Sequence, residues 1–324
     1  MKQCNVFILG LSKYDDHKLI ALALMNRLKE IKTSSEEYKP YILLCDDSFE
    51  AVQSMLAEYI EKLGCDVLIS SGYRITSILP TVYEVQGLLP TIFLGVADPM
   101  RLGIIKSLEK PGGTFSGVCM GEPNAEHYVE QLRVLHPYVK KICIPYDSAS
   151  LGGLVKKRAA LMFSALRVAG FEACLYDVQN LQEALKVVAA QTNTVHAVLL
   201  IEGCSIAVTG EKAIAYMCGM AGRLLLSSSG QAGIGHGASF SYGCTNNILL
   251  PEVIGMVRRF WRDRKPVGMQ PVITVPDSRR VFVNRFRLPW LPRQIMQKIK
   301  NHAEFNVVFE WAQCPVNKER DDDG

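Results

Sequence analysis

Two short runs carry the residue types that could hold a small charged molecule. Ser70-Ser71-Gly72-Tyr73 follows the apolar run Val67–Ile69 and precedes a helical pattern. Small residues at such a junction let the backbone approach a ligand closely, and the first N–H groups of the helix point toward it. The same residues would equally make an ordinary serine-led helix start. Glu202-Gly203-Cys204-Ser205 follows the apolar run Ala197–Ile201, where a carboxylate can pair with an ammonium group. Asp98 follows the run Thr91–Val96 and either faces a ligand or caps the segment after Pro99. Tyr73, Tyr146 and Tyr242 could sandwich a flat or apolar group, or serve as core packing. The candidate binding residues are therefore Ser71, Gly72, Tyr73, Asp98, Tyr146, Glu202, Ser205 and Tyr242.

Signals for catalysis are thin. The six histidines (17, 127, 136, 196, 236 and 302) show no HxH or HExxH spacing, and no GxSxG nucleophile elbow occurs. The expectation is a binder that is not an enzyme, with no catalytic residue, no metal and no cofactor. Gly230–Gly237 is glycine-dense, but the residues after it look extended rather than helical. It reads as a crossover or strand-entry loop, not a dinucleotide cradle. Arg258, Arg259, Arg262, Arg264 and Lys265 close a helix that begins near Asn247, where cations complement the helix dipole.

The elements that must position these residues alternate between strand and helix. Val6–Leu9, Tyr41–Leu44, Val67–Ile69 and Thr91–Val96 read as buried strands of the first half. A helix with Leu19, Leu22, Ala23, Met25 and Leu28 at helical spacing follows the first of them, capped by Asp15 and Asp16. Asp47 and Glu50 resemble a capping box for the next helix. The amphipathic segment Met100–Leu108 predicts one more helix, between the Asp98-Pro99 break and the Pro111-Gly112-Gly113 turn. Lys141–Pro145, Glu172–Tyr176 and Ala197–Ile201 repeat the logic, with one helix ending near Gly170 and another starting at Leu181. Such alternation predicts parallel sheets covered by helices on both faces. In sheets of this kind ligands bind at the carboxyl ends of the strands. The loops to watch are then 10–15, 70–73, 96–98, 146–150, 202–205 and 240–247.

A chain of 324 residues suits two lobes of about 150 residues each. With 48% apolar and 21% charged residues it can bury packed cores and does not resemble a disordered chain. A net charge of +4 makes no case for nucleic acid, and no apolar stretch approaches the roughly 20 residues that span a bilayer. The ten cysteines show no CxxC and no paired spacing, and most lie in apolar runs. They read as free thiols of a reducing compartment. Met1-Lys2-Gln3-Cys4 runs straight into the first strand, without the apolar stretch of a secretory signal.

Four blocks, in order and spacing, resemble the substrate-binding proteins of a class of ABC transporters. Leu94–Val118, LGVADPMRLGIIKSLEKPGGTFSGV, is similar to that family's link between lobes, a strand ending in GVxDP, then GLVKSLARPGGN, then TGV. Gln131–Tyr146 resembles the helix and first strand of its second lobe, and Ala238–Gly243 its ALASYG. Asn284, Leu288–Pro292 and Ile295 echo its C-terminal ending. The resemblance implies that Ser71–Tyr73 cradles a carboxylate and that Glu202 stands where the family places an Asp. Gly243-Cys244-Thr245-Asn246 also resembles the GCT motif of two-cysteine amino-acid racemases, but Cys4-Asn5-Val6 precedes its strand and lacks the threonine of their second motif.

The fold class expected is α/β: two similar doubly wound parallel-sheet lobes with a ligand cleft between them, as in type I periplasmic-binding proteins. Lobe one would take residues 1–117 and 240–266, and lobe two residues 118–239 and 267–324. The function expected is capture of a small polar ligand, an amino acid or related carboxylate, by lobe closure, as the binding component of an ABC transporter. A cytoplasmic ligand sensor on the same fold is the first alternative, and a racemase the second. The partners are the small-molecule ligand and ABC permease subunits, with no nucleic acid and no transmembrane segment. The chain is expected to be a monomer or weak dimer. The resemblance implies a periplasmic or cell-surface location; either the start of this chain is internal to a longer precursor, or the cytoplasm is the alternative.

Overall fold

Val6, Phe7, Ile8 and Leu9 are all fully buried, which an extended segment achieves only when both faces of its sheet are covered. They form the middle of β1 (Lys2–Leu11) in the computed structural model, which describes residues 2–12, 15–31, 36–46, 48–121, 124–136, 138–228, 230–244, 246–275, 279–288, 293–301 and 305–308. There follow α1 (Asp15–Glu30), β2 (Glu36–Cys45), α2 (Phe49–Leu63), β3 (Val67–Ser71), α3 (Tyr73–Gln86), β4 (Thr91–Leu94) and β5 (Phe115–Cys119). The cap of α2 is Ser48, whose Oγ accepts from the Ala51 N–H; Asp47 of the expected capping box lies outside the described residues.

The helix expected over Met100–Leu108 does not form. Gly103 takes a left-handed φ of 69°, and its N–H closes a tight turn on the Met100 carbonyl. The segment runs on as turns, with Ile104 and Ile105 buried and the Lys106 N–H donating to the Pro111 carbonyl. The apolar spacing that mimics a helix instead anchors a loop to the core.

The chain continues through α4 (Ala125–Leu132), β6 (Lys141–Tyr146), α5 (Leu154–Val168), β7 (Glu172–Asp177), α6 (Leu181–Gln191), β8 (Ala197–Leu199) and α7 (Ser205–Met220). Next come β9 (Leu224–Ser227), the short α8 (Gln231–Gly235), β10 (Phe240–Cys244) and α9 (Asn246–Trp261). The last elements are β11 (Ile273–Thr274), β12 (Arg279–Asn284), α10 (Arg293–Asn301) and β13 (Phe305–Val308). The glycine-dense run is thus a one-turn helix leading into a strand. Gly233 must be glycine, because a Cβ there would sit 2.5 Å from the Ser241 Oγ and 2.6 Å from the Ser227 Oγ.

The chain divides into two units, Met1–Glu122 with Asn246–Ser278, and Pro123–Thr245 with Arg279–Gly324. The first unit holds a six-stranded parallel sheet in the order β11-β5-β4-β3-β1-β2. One face packs Val6 and Ile8 against Leu24, Leu28 and the α9 residues Val253 and Val257; the other packs Phe7 and Leu9 against Val52, Leu56, Ile75 and Leu79. The second unit holds a seven-stranded sheet in the order β13-β12-β10-β9-β8-β6-β7, parallel except where β12 runs against β10. The sequence reading began the return to lobe one at residue 240. Strand Phe240–Cys244 pairs with β9 and β12 instead, because Phe240 and Tyr242 complete the second core, and the return begins with α9. The first unit then keeps the chain past residue 267, since β11 adds to β5.

Both sheets contain the same inner order, β2-β1-β3-β4-β5 and β7-β6-β8-β9-β10. In that order the connections change faces between β1 and β3, and again between β6 and β8. These are the topological switch points where α/β sheets open a crevice for ligands. Among the described residues, no helix is long and apolar enough to cross a membrane.

Candidate ligand-binding site

At the switch point of the first unit, β1 ends at Leu11 and β3 at Ser71. His17, in the first turn of α1, fills the space between them. Its Nδ1 accepts the Leu11 N–H at 3.0 Å, which leaves the ring proton on Nε2 in the neutral imidazole. Burial lowers its pKa to about 4, so the ring is neutral at physiological pH. The ring lies against two glycines: a Cβ on Gly10 would be 3.1 Å from the His17 Cβ, and one on Gly72 would be 3.0 Å from Nε2. Gly72 also needs its φ of 84°, a conformation that side chains other than glycine adopt only under strain.

Ser71, Gly72 and Tyr73 stand together at this junction. The Gly72 N–H is committed to the Leu94 carbonyl, and α3 starts with no side-chain cap, so its first-turn amides are not covered by a capping side chain. Thr76 Oγ1 donates to the Gly72 carbonyl and shares a hydrogen bond with Ser70 Oγ, which fixes the turn from behind. Ser71 is buried and Tyr73 half-buried. Asp98 sits after β4, one strand further along the sheet. Its Oδ1 accepts the Arg101 N–H at 3.0 Å, so it caps the turn after Pro99.

At the switch point of the second unit the chemistry is acidic. Asp147 follows Tyr146, the last residue of β6, and Ser205 opens α7 after β8. Asp147 Oδ2 accepts from Ser150 Oγ at 2.6 Å and from Ser205 Oγ at 2.8 Å, and Oδ1 accepts from the Ala149 N–H at 2.9 Å. The Ser205 N–H in turn donates to Ser150 Oγ. Burial works to raise the Asp147 pKa, but these hydrogen bonds outweigh it and hold the carboxyl below the usual carboxylate range. Asp177, at the end of β7, accepts the Ser148 N–H close by. Tyr146 is buried, and burial followed by the charge of Asp177 pushes its phenol pKa up.

Of the predicted residues, Tyr146 and Ser205 are therefore brought together. Glu202 is near in sequence, but its part in the hydrogen bonding is its carbonyl, which accepts from the Arg158 guanidinium at 3.0 Å. Tyr242 stands on β10 in the core, stacked on Tyr128 with ring centroids 4.7 Å apart, and Tyr128 donates to the Ser227 carbonyl. One face of its ring is thus occupied by Tyr128.

Sequence reasoning missed His17, Asp147 and Ser150. The signal for Asp147 was present: an Asp and a Ser three apart directly after a strand, within a loop already marked. It also missed a buried cluster on α7, where Glu211 accepts from Ser227 Oγ and lies 2.7 Å from His236 Nδ1. Ser241 Oγ, on the strand residue paired with Ser227, is buried and has no hydrogen-bond partner among the described residues. Cys4, the cysteine weighed for a racemase, is fully buried in the amino-terminal half of β1, away from the strand's carboxyl end; the side chain of Cys244 lies outside the described residues. The eight described cysteines are free thiols, and Cys314 lies outside the described residues.

Two sheets with the same switch-point order, each with a polar junction at its carboxyl edge, are the architecture of the type I periplasmic-binding proteins. The chain belongs to the ABC transporter substrate binding protein family, whose model matches residues 32–285. A crystallised ABC domain from Streptococcus pneumonia in complex with L-Trp shares the fold with a TM-score of 0.69 and 18% identity, covering 95% of this chain and 100% of that one. A substrate-binding protein with adhesive properties from Clostridium difficile superposes with a TM-score of 0.67 at 14% identity, over 95% of this chain and 99% of the other. A tyrosine-binding protein of Clostridioides difficile is 34% identical over 68 residues, a stretch that spans 21% of this chain and 19% of that protein.

Proposed function

We propose that the chain captures a free amino acid and hands it to an ABC permease, without chemical change to the ligand. The observation that carries this reading is the pair of switch points. One offers helix amides around Ser71, Gly72 and Tyr73, and the other an anionic carboxylate held between Ser150 and Ser205. A free amino acid carries both a carboxylate and an ammonium group, the two chemistries that such junctions receive. In this reading Ser71–Tyr73 takes the ligand carboxylate, while Tyr146 and Ser205 border the ammonium end. Asp98 and Tyr242 act indirectly, through a turn and a core. The family and the relatives that bind tryptophan and tyrosine support an amino-acid ligand. Delivery to a permease implies work outside the cytoplasm.

A thermal-shift screen of the twenty amino acids tests the reading, because a ligand that binds only the folded state raises the melting temperature with concentration. An aromatic amino acid should give the largest shift. A screen in which sugars or amino-free carboxylates stabilise the protein and amino acids do not would overturn it.

A further inference from the structure

Within the amino-acid reading, we propose that Asp147, and not Glu202, is the residue that receives the ligand's ammonium group. Asp147 stands at the β6/β8 switch point, where this sheet order opens its crevice, with Tyr146 before it and Ser205 across from it. Three donors fix its carboxylate: Ala149 N–H on Oδ1, and the Ser150 and Ser205 hydroxyls on Oδ2. Two of the three come from neutral hydroxyls and the third from a backbone amide, so its negative charge is oriented but not cancelled. Among the described residues no Lys, Arg or His lies within ion-pair distance of it. The group is half-buried rather than sealed, and the nearby Asp177 adds a second negative charge. An oriented carboxylate whose charge is uncompensated is what a primary ammonium needs, because little side-chain freedom remains to be lost on binding.

Glu202 offers the opposite. No hydrogen bond holds its side chain among the described residues, and the neighbouring cation works against it. Arg158, nearly buried, donates to the Glu202 carbonyl and would lie 3.2 Å from a Cβ on Gly203. A positive charge packed on the Glu202-Gly203 turn repels an incoming ammonium. The Ser150–Ser205 link also ties the β6 loop to the start of α7 across 55 residues of sequence, so the carboxylate is held from both sides of the switch point.

The experiment is calorimetric titration of the full chain with three matched probes: L-tyrosine, tyramine, which lacks the carboxylate, and 3-(4-hydroxyphenyl)propionate, which lacks the amine. Wild type should prefer L-tyrosine over the amine-free acid by tenfold or more. Asp147→Asn should weaken L-tyrosine by tenfold or more while leaving the amine-free acid within about threefold, and Glu202→Gln should keep the wild-type preference. If Asp147→Asn fails to fold, Ser150→Ala and Ser205→Ala keep the carboxylate and each remove one of its donors. Each should weaken the two amine-bearing probes severalfold and spare the amine-free acid. Should L-tyrosine bind and Asp147→Asn retain the amine preference, or should Glu202→Gln abolish it, the assignment falls and the amino-acid reading stands. If wild type binds tyramine better than L-tyrosine and Asp147→Asn removes that binding, Asp147 stands and the amino-acid reading falls. Both fall if wild type binds neither amine-bearing probe.

Discussion

At the carboxyl ends of β1 and β3 the chain presents a neutral imidazole, two glycines and the open start of a helix; at the carboxyl ends of β6 and β8 it presents a carboxylate gripped by two hydroxyls and an amide. The two sheets have the same inner strand order, so topology does not make this difference. Side chains do. In the first unit close packing removes charge: His17 is pressed against Gly10 and Gly72, and burial keeps its ring neutral. In the second unit hydrogen bonding preserves charge, because hydroxyl donors stabilise the ionised form of Asp147 against its partial burial. One fold repeated twice therefore carries a donor-rich edge in one unit and an acceptor-rich edge in the other.

The largest expected effect breaks the comparison on the side of the second unit. Glu211 is buried, and its carboxylate serves both Ser227 and His236. Glu211→Ala removes the buried carboxylate that both contact, and should cost about 3–5 kcal/mol. Hydrogen exchange resolved by segment should show β9 and β10 losing protection while β1 and β3 keep theirs. Equal loss in both units would show that the two are not separately stabilised.

The next effect belongs to the first unit and depends on pH. The folded His17 pKa is about 4, below the 6.5 of an unfolded histidine, so between these values the unfolded chain binds more protons. Stability is then full above pH 6.5 and falls as pH drops toward 4, by roughly 3 kcal/mol in all. Asp147 acts in a lower window, since its lowered pKa gives stability that is lost only as pH falls below the usual carboxylate range. Denaturant midpoints measured from pH 7 to pH 4 should decline in wild type and flatten in His17→Gln. An unchanged slope in the variant would show that His17 is not the titrating group.

A smaller effect sharpens the account of the anion side. Gly72→Ala puts a methyl group 3.0 Å from His17 Nε2 at a left-handed φ, and should destabilise by about 1–3 kcal/mol. The melting temperature should fall, and affinity for the amine-free acid should fall with it. A variant as stable as wild type would mean that the junction is looser than its geometry implies.

Much of the fold was legible in the sequence because strand and helix patterns report local burial. The runs Val6–Leu9, Val67–Ile69 and Lys141–Pro145 became strands at those positions. The pattern misled where one backbone conformation overrode it, as Gly103 did in the stretch 100–108, and where a partner strand decided membership, as β9 and β12 did for Phe240–Cys244. For the site, the loops could be read but not the residues within them. Strand ends are local features, whereas the grip on Asp147 comes from Ser205, 58 residues away, and the role of His17 depends on Gly72. Glu202 looked right by position, but sequence does not reveal that Arg158 packs against its carbonyl.

The most direct test is the wild-type titration itself, comparing L-tyrosine with tyramine and with 3-(4-hydroxyphenyl)propionate at neutral pH. The proposed capture of a zwitterion predicts that it binds at least tenfold more tightly than either analogue, each lost charge-assisted contact being worth about 1.5–3 kcal/mol. An analogue with one charged end that binds as tightly as the amino acid would contradict the account.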